Sequence, residues 1–320
     1  MNRRRLALRL SASTIAATLL AASASAGAPA SALTLGNTGS GRPALALVGP
    51  RMYIAWAGSS GTAAAKQLVV GYSTSAGLRI TKVPGAERVP QGEGAALDTD
   101  GTGVYVAWPA GDNGNTLTAA YTTGSALTCR TAFTGVVSAH APALASDPAG
   151  VRHLAWTGPD GHLNVARLDT SACAGGGAMT LTNRVVLPDT SVAAPALVYD
   201  DSGSSNLGLV LAWAAGDGAH SVQIASFTGS AVLGHRSQVT AAVGSTAAPG
   251  LSSATADLYV TFRGDNGSVF YGYSEGCIPT CFHASDLGEQ AGAGVGQPAD
   301  GDYHYYTYFD LTGHLVISRL

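Results

Sequence analysis

The chain of 320 residues is rich in turn-forming residues and poor in charge, with 42 glycines, 14 prolines, 12% charged residues and a formal net charge of −3 at pH 7. This composition is too apolar for a disordered chain. Its two lysines and four glutamates are too few for the surface helices of a helical bundle. We therefore predict an all-β fold built from strands and tight turns.

The first 32 residues have the pattern of a secretory signal peptide. The segment 1–5 contains three arginines, a short apolar run follows, and Ala-Ser-Ala units offer cleavage after Ala26 or Ala32. The alternative is a membrane anchor, which would need roughly 17–25 apolar residues and so a longer run than this one. We expect residues 1–32 to be removed and residues 33–320 to form one secreted domain.

The charge of the expected mature chain bears on its partners. Removing residues 1–32 leaves 13 basic and 20 acidic side chains, a formal net charge of −7. Nucleic acids and anionic membranes are bound by clustered Lys and Arg, so we expect neither as a partner. No second long apolar segment follows, and we expect no membrane insertion. We also expect a monomer.

An internal repeat runs through residues 33–320. Its clearest copy begins at Pro142-Ala143-Leu144, passes through a turn at Asp147 and continues as an apolar alternation that ends at Trp156. The aromatic residues that end this alternation in the successive copies are Trp56, Trp108, Trp156, Trp213, Phe262 and Tyr308. Their separations of 46–57 residues, with strand patterns alone between them, are typical of β-propeller blades.

Six such repeats predict a six-bladed β-propeller of four-stranded blades. The strands of the third repeat are expected near residues 143–145, 152–156, 163–167 and 184–187. The last repeat lacks a fourth strand, because three residues follow Ile317. We expect the N-terminal strand at 33–35 to pair with 315–317 and close the ring, which covers two sheet edges. An open array or a β-sandwich is the alternative.

Four tryptophans occupy equivalent positions of the repeat: Trp56, Trp108, Trp156 and Trp213. A large aromatic residue that recurs at one repeat position is first explained by packing between neighbouring blades, so we assign these residues a structural role. The alternative is that their faces are exposed and stack on sugar rings.

The four cysteines predict disulfides, because disulfides persist in exported proteins. Three pairings are formally possible. We favour a local bridge between Cys277 and Cys281 and a bridge between Cys129 and Cys173, which we place in outer loops of neighbouring blades.

No cofactor and no metal are expected. The eight histidines show no zinc-binding spacing. Aspartates recur in the turns after the first strand of several repeats, at Asp98, Asp100, Asp147, Asp200 and Asp201. They could hold Ca²⁺, but Asp also favours turns through its own side-chain hydrogen bonds, and we favour that role.

The pattern Pro-Ala-Leu, Ala-Trp and Gly-x-Asp-Gly-x-Leu-x-x-Ala resembles the blades of bacterial sialidase-like and lectin-type β-propellers, over nearly all of residues 33–320. The resemblance implies a secreted module that binds a carbohydrate or a cell-surface ligand. The alternatives are a glycoside hydrolase of sialidase-like type and a protein-interaction scaffold.

The resemblance also implies candidate ligand-binding residues. A sialidase needs arginines that bind a substrate carboxylate and a tyrosine nucleophile. Arg42 stands where that family has an Arg-Ile-Pro motif, and Tyr303 and Tyr305 supply phenols in the last repeat beside Asp302. We expect these four residues to contact the ligand. The family's Asp box does not occur intact, and we assign no catalytic residue.

A second hydrolase motif occurs at Gly272-Tyr273-Ser274-Glu275-Gly276, which matches the G-x-S-x-G nucleophile elbow. That elbow requires a turn from a strand into a helix, whereas here a strand is followed by a cysteine-containing loop. Ser274 is therefore not assigned as a nucleophile.

Overall fold

The computed structural model describes residues 33–49, 51–74, 77–82, 87–111, 114–200, 207–239, 241, 243–254, 257–274, 282–296, 299–300 and 303–319. These residues form strands β1 to β24 and one short 3-10 helix, which confirms the all-β prediction. The strands assemble into antiparallel sheets of a β-propeller with four-stranded blades. Within this part of the chain, no helix has the length and hydropathy to cross a bilayer.

One sheet joins the two ends of the repeat region and has eight strands. Its strands are β1 (Leu33–Val48), β2 (Arg51–Gly61), β3 (Ala65–Thr74), β4 (Gly77–Lys82), β5 (Arg88–Pro90), β22 (Ala299–Asp300), β23 (Tyr303–Phe309) and β24 (His314–Arg319). Their order is β22-β23-β24-β1-β2-β3-β4, and β5 pairs with β3.

The other four sheets each have four strands in chain order. The second sheet contains β6 (Ala96–Thr99), β7 (Val104–Ala110), β8 (Thr116–Thr122) and β9 (Thr128–Val137). The third contains β10 (Ala143–Ser146), β11 (Arg152–Thr157), β12 (His162–Asp169) and β13 (Thr180–Thr190), with the 3-10 helix Ser171–Gly175 before β13. The fourth contains β14 (Ala196–Asp200), β15 (Gly208–Ala214), β16 (Val222–Phe227) and β17 (Leu233–Gln238). The fifth contains β18 (Gly250–Ala254), β19 (Asp257–Arg263), β20 (Ser268–Tyr273) and β21 (His283–Gln290).

The prediction of six separate blades is wrong, because the described strands form five sheets. The physical reason is that β1 does not break between the last repeat and the first. Its beginning pairs with β24, with Leu33 opposite Ile317, and its later residues pair with β2. The expected pairing of residues 33–35 with 315–317 is confirmed.

The first strand of each repeat lies next to the central axis. These inner strands are β1, β6, β10, β14, β18 and β22, and they contact one another in that order. The second and third strands of a repeat are joined by tight turns that need a positive φ. Gly161 and Gly313 supply it, at 81° and 80°, because glycine has no Cβ to clash there.

Each tryptophan is buried between its own sheet and the preceding repeat. Trp108 packs in one cluster with Tyr53 and Val70 of the first sheet. Trp56 packs with residues of β23 and β24, such as Phe309. All four indoles are 0–1% exposed. This burial agrees with the packing role expected for them and excludes the alternative of exposed sugar-stacking faces.

A disulfide joins Cys129 and Cys173, with a Cα–Cα distance of 5.4 Å. The bridge links the start of β9 to the 3-10 helix before β13, and so connects the outer edges of two neighbouring sheets. The favoured pairing is therefore confirmed, although Cys129 lies in a strand rather than a loop. Cys277 and Cys281 lie outside the described residues.

Candidate functional site

A cavity of about 500 Å³ lies on the central axis, at the face where the inner strands begin. We call it the axial cavity. It is lined by residues 39–42 of β1 and by the segments before the other inner strands, at 92–93, 140–141, 192–194, 246–248 and 292–294. The end of β23 and the turn that follows it contribute residues 309–311 and 313, and the end of β19 contributes Arg263. Its volume falls within the range of roughly 300–1,000 Å³ that is usual for small-molecule sites.

Arg42 forms the floor of the axial cavity. Its Nη1 donates hydrogen bonds to the carbonyl oxygens of Pro195 and Pro249, at 3.1 and 2.8 Å, and its Nη2 donates to Pro142 O at 3.3 Å. Arg42 also lines a smaller cavity of about 80 Å³ deeper between the inner strands. The guanidinium therefore spans the axis and connects the first repeat to three others.

The environment of Arg42 is unusual for a cation. Its side chain is buried, and this burial lowers its pKa from 12.5 to about 10, although the charge of Glu93 acts in the opposite direction. The structure thus gives Arg42 a bracing role that the sequence did not suggest. Its expected contact with a ligand stays a prediction.

A carboxylate and an imidazole meet at the wall of the axial cavity. Glu93 Oε1 lies 2.9 Å from His140 Nδ1, and Glu93 Oε2 accepts a hydrogen bond of 2.7 Å from the amide of Ala141. Because a carboxylate can only accept, Nδ1 of His140 carries the proton. His140 lines the axial cavity with its side chain 28% exposed, and its Nε2 has no hydrogen bond within the described part of the chain.

Glu93 and His140 differ from the residues found at the same position of the other repeats. Aligned on the start of the inner strand, Glu93 and His140 occupy the same position in the second and third repeats. The equivalent residues of the other repeats are Gly41, Ala193, Ala247 and Gly296. Packing therefore requires no more than a small residue here, and the two polar side chains call for another explanation.

Two further charged residues line the axial cavity. Asp310 Oδ1 accepts hydrogen bonds from the amides of Thr312 and His314 and from the Thr312 hydroxyl. Burial alone would raise the pKa of Asp310, but these hydrogen bonds outweigh it and hold the pKa below its ordinary value. Arg263 donates from Nε to Ala291 O at 2.7 Å. Asp310 is thus held by its own turn, and Arg263, at the end of β19, is held by the segment that follows β21.

The structure gives less information about the other three residues that were predicted to bind a ligand. Asp302 lies outside the described residues, and Tyr303 and Tyr305 belong to β23. The ligand contacts expected of these three residues stay predictions. Glu93 and His140 were missed by the sequence analysis, although their departure from Gly and Ala at one repeat position was the signal that could have found them.

The other motifs have structural roles. Ser274 is buried, donates a hydrogen bond to Asp257 Oδ1 and accepts one from the amide of Leu258, so it is not presented as a nucleophile. Asp100 and Asp147 each accept two backbone hydrogen bonds within their own turns. Among the described residues, no group of three or more His, Cys, Asp or Glu is placed to hold a metal ion.

No protein-family model and no curated protein matches this sequence. The structure is similar to that of an alpha-L-arabinanase from Penicillium chrysogenum, with 14% identity, a TM-score of 0.52 and coverage of 78% of each chain. It is similar to a sialidase from Trypanosoma rangeli, with 10% identity, a TM-score of 0.56 and coverage of 89% of this chain but 55% of the sialidase.

A mutant of AofleA from Arthrobotrys oligospora is also similar, with 10% identity, a TM-score of 0.62 and coverage of 90% of this chain and 89% of the other. At these identities, the likeness to all three structures is one of fold.

Proposed function

We propose that this protein is an exported glycan-binding module whose ligand enters the axial cavity and contacts Glu93 and His140. The observation that carries the proposal is the pairing of these two side chains at a repeat position that is otherwise Gly or Ala. The arabinanase and the sialidase to which the fold is similar act on carbohydrates by name, which supports the same class of ligand.

The chemistry of the pair suits a sugar. A carboxylate accepts hydrogen bonds from hydroxyl groups, and a hydroxyl group, which both donates and accepts, can also pair with the imidazole Nε2. Glu93 and His140 hold each other and the amide of Ala141, so little side-chain freedom is lost when a ligand binds. The hydroxyl groups of a glycan can form hydrogen bonds with both side chains.

Export of the protein rests on two features. The basic and then apolar segment 1–32 has the pattern of a signal peptide. The disulfide between Cys129 and Cys173 is typical of proteins that reach an oxidising compartment. A glycan ligand outside the cell is consistent with both.

A glycan array followed by titration calorimetry tests the proposal. We expect the protein to bind a restricted set of glycans and Glu93→Gln to weaken binding by about tenfold or more, since a hydrogen bond to a charged group contributes ~1.5–3 kcal/mol. Glu87→Gln is the matched control, because Glu87 forms an ion pair with Arg130 and does not line the axial cavity. Absence of glycan binding, or equal affinities of the wild type and Glu93→Gln, would overturn the proposal.

A glycoside hydrolase is the second candidate. It is favoured by the presence of two carboxylates, those of Glu93 and Asp310, in the lining of one cavity. Incubation with arabinan and with sialylated oligosaccharides, followed by an assay for released sugar, tests it. Sugar release that is lost in both Glu93→Gln and Asp310→Asn would establish hydrolysis, whereas binding without release leaves the protein a binding module.

A further inference from the structure

Two exposed aliphatic side chains lie at the axial cavity. Leu311 is 69% exposed and Val192 is 36% exposed, and both line the cavity. Large apolar side chains this exposed are few among the described residues. Their position at the candidate site suggests that they contact a ligand rather than stabilise the fold.

The repeat shows that Leu311 is not required by its turn. Leu311 lies three residues after the anchor aromatic residue Tyr308. The equivalent positions of the other repeats hold turn-forming or small residues, which are Ser59, Gly111, Pro159, Gly216 and Asp265. Leucine has no such turn preference, and an exposed leucine contributes little to folding. Leu311 therefore departs from the scaffold as Glu93 and His140 do.

The order of the inner strands places Leu311 across the cavity from His140. Leu311 follows β23, which pairs with the inner strand β22, and His140 precedes the inner strand β10. Because β10 and β22 are three places apart among six inner strands around the axis, they lie on opposite sides. A ligand in the cavity would thus face His140 on one side and Leu311, beside Asp310, on the other.

The exposed apolar side chains in the cavity lining are aliphatic rather than aromatic. Phe309 is the aromatic side chain in the described lining, and it is 2% exposed, so it offers no flat face for a sugar ring. Small aliphatic side chains instead suit a methyl group.

Resting on the proposed glycan-binding function, we propose that the axial cavity selects sugars that carry a methyl group, placed against Leu311. The methyl group can belong to an N-acetyl substituent or to a 6-deoxy sugar.

Calorimetry with matched sugars tests this selection. The probes are N-acetylglucosamine against glucose, and L-rhamnose against L-mannose, so that the two arms distinguish the two sources of the methyl group. We expect the methyl-bearing member of at least one pair to bind about fourfold more tightly, which corresponds to one buried methyl group. Leu311→Asn should abolish this difference.

Val232→Asn is the matched control, because Val232 is 75% exposed and does not line the axial cavity. Equal thermal unfolding of both variants and the wild type would show that neither change disturbs the fold. Glycan binding that depends on Glu93 but is unaffected by Leu311→Asn, or that shows no preference within either pair, would overturn this inference alone. Absence of any glycan binding would overturn the proposed function and this inference with it.

Discussion

Replacing Arg42 by methionine tests whether the guanidinium on the central axis stabilises the ring of sheets. Methionine keeps an unbranched apolar side chain but has no donor for the carbonyl oxygens of Pro142, Pro195 and Pro249. These carbonyls belong to three different repeats, so the substitution removes contacts that connect distant parts of the chain.

The size of the effect follows from two opposing contributions. Hydrogen bonds to a charged donor contribute ~1.5–3 kcal/mol each, which sets a range of about 5–9 kcal/mol for three of them. Burial opposes this, because a pKa lowered from 12.5 to about 10 corresponds to about 3 kcal/mol lost by the charged form. We therefore expect Arg42→Met to lower the free energy of unfolding by about 2–6 kcal/mol, a large fraction of the ~5–15 kcal/mol of a typical domain.

Urea denaturation with linear extrapolation measures this change. Arg51→Met is the matched control, because Arg51 is exposed, donates a hydrogen bond to Thr123 O at 2.9 Å and lies 5.0 Å from the centre of the Tyr72 ring. Loss of the Arg51 guanidinium should lower the free energy of unfolding by less than about 1 kcal/mol. The opposite result has a physical basis, because buried ionic groups can be replaced by apolar residues of similar volume without loss of stability. If Arg42→Met were as stable as the wild type or more stable, the bracing role would be refuted.

Trp108→Ala should lower the free energy of unfolding by ~3–5 kcal/mol, because the indole is 0% exposed. Val232→Ala is the exposed control, and an equal effect of the two substitutions would contradict the packing role of Trp108. Replacing Cys129 and Cys173 by serine should lower the free energy of unfolding, measured in urea, by ~3–4 kcal/mol. The reason is that the bridge closes a loop across a separation of 44 residues and so restricts the unfolded chain; unchanged stability would contradict this explanation. Burial lowers the pKa of His153 below 6.5, so the unfolded chain binds its proton more readily. The unfolding temperature should then fall as the pH drops below 6.5, and His153→Gln should reduce that slope; an unchanged slope would assign it to other groups.

The sequence was most informative where structure follows from periodicity. The recurrence of an aromatic residue every 46–57 residues identified the four-stranded units and the buried positions of Trp56, Trp108, Trp156 and Trp213. Ring closure by residues 33–35 was also predictable, because a last repeat without a fourth strand leaves an edge that another strand must cover. Both results depend on local strand patterns and on edge pairing, which the order of residues contains.

The number of sheets was not predictable in this way. A repeat is a unit of sequence, whereas a sheet is a unit defined by hydrogen bonds between strands. Whether β1 breaks between the two repeats that it joins depends on its pairing along residues 33–48, where the register with β2 shifts between Ser40 and Ala44. The continuous strand merges two repeats into one eight-stranded sheet.

The sequence alone determined the all-β class, the repeat and the buried tryptophans, because each leaves a periodic pattern in the chain. The structure decided which of the three possible cysteine pairings includes Cys129, since a pairing depends on distance in space. Tertiary structure alone decided the axial cavity. Arg42 meets carbonyl groups that are 100, 153 and 207 residues away, and Glu93 meets His140 across 47 residues. Such contacts arise because closure of the ring brings the starts of all inner strands to one axis, and no local pattern records which side chains then face each other.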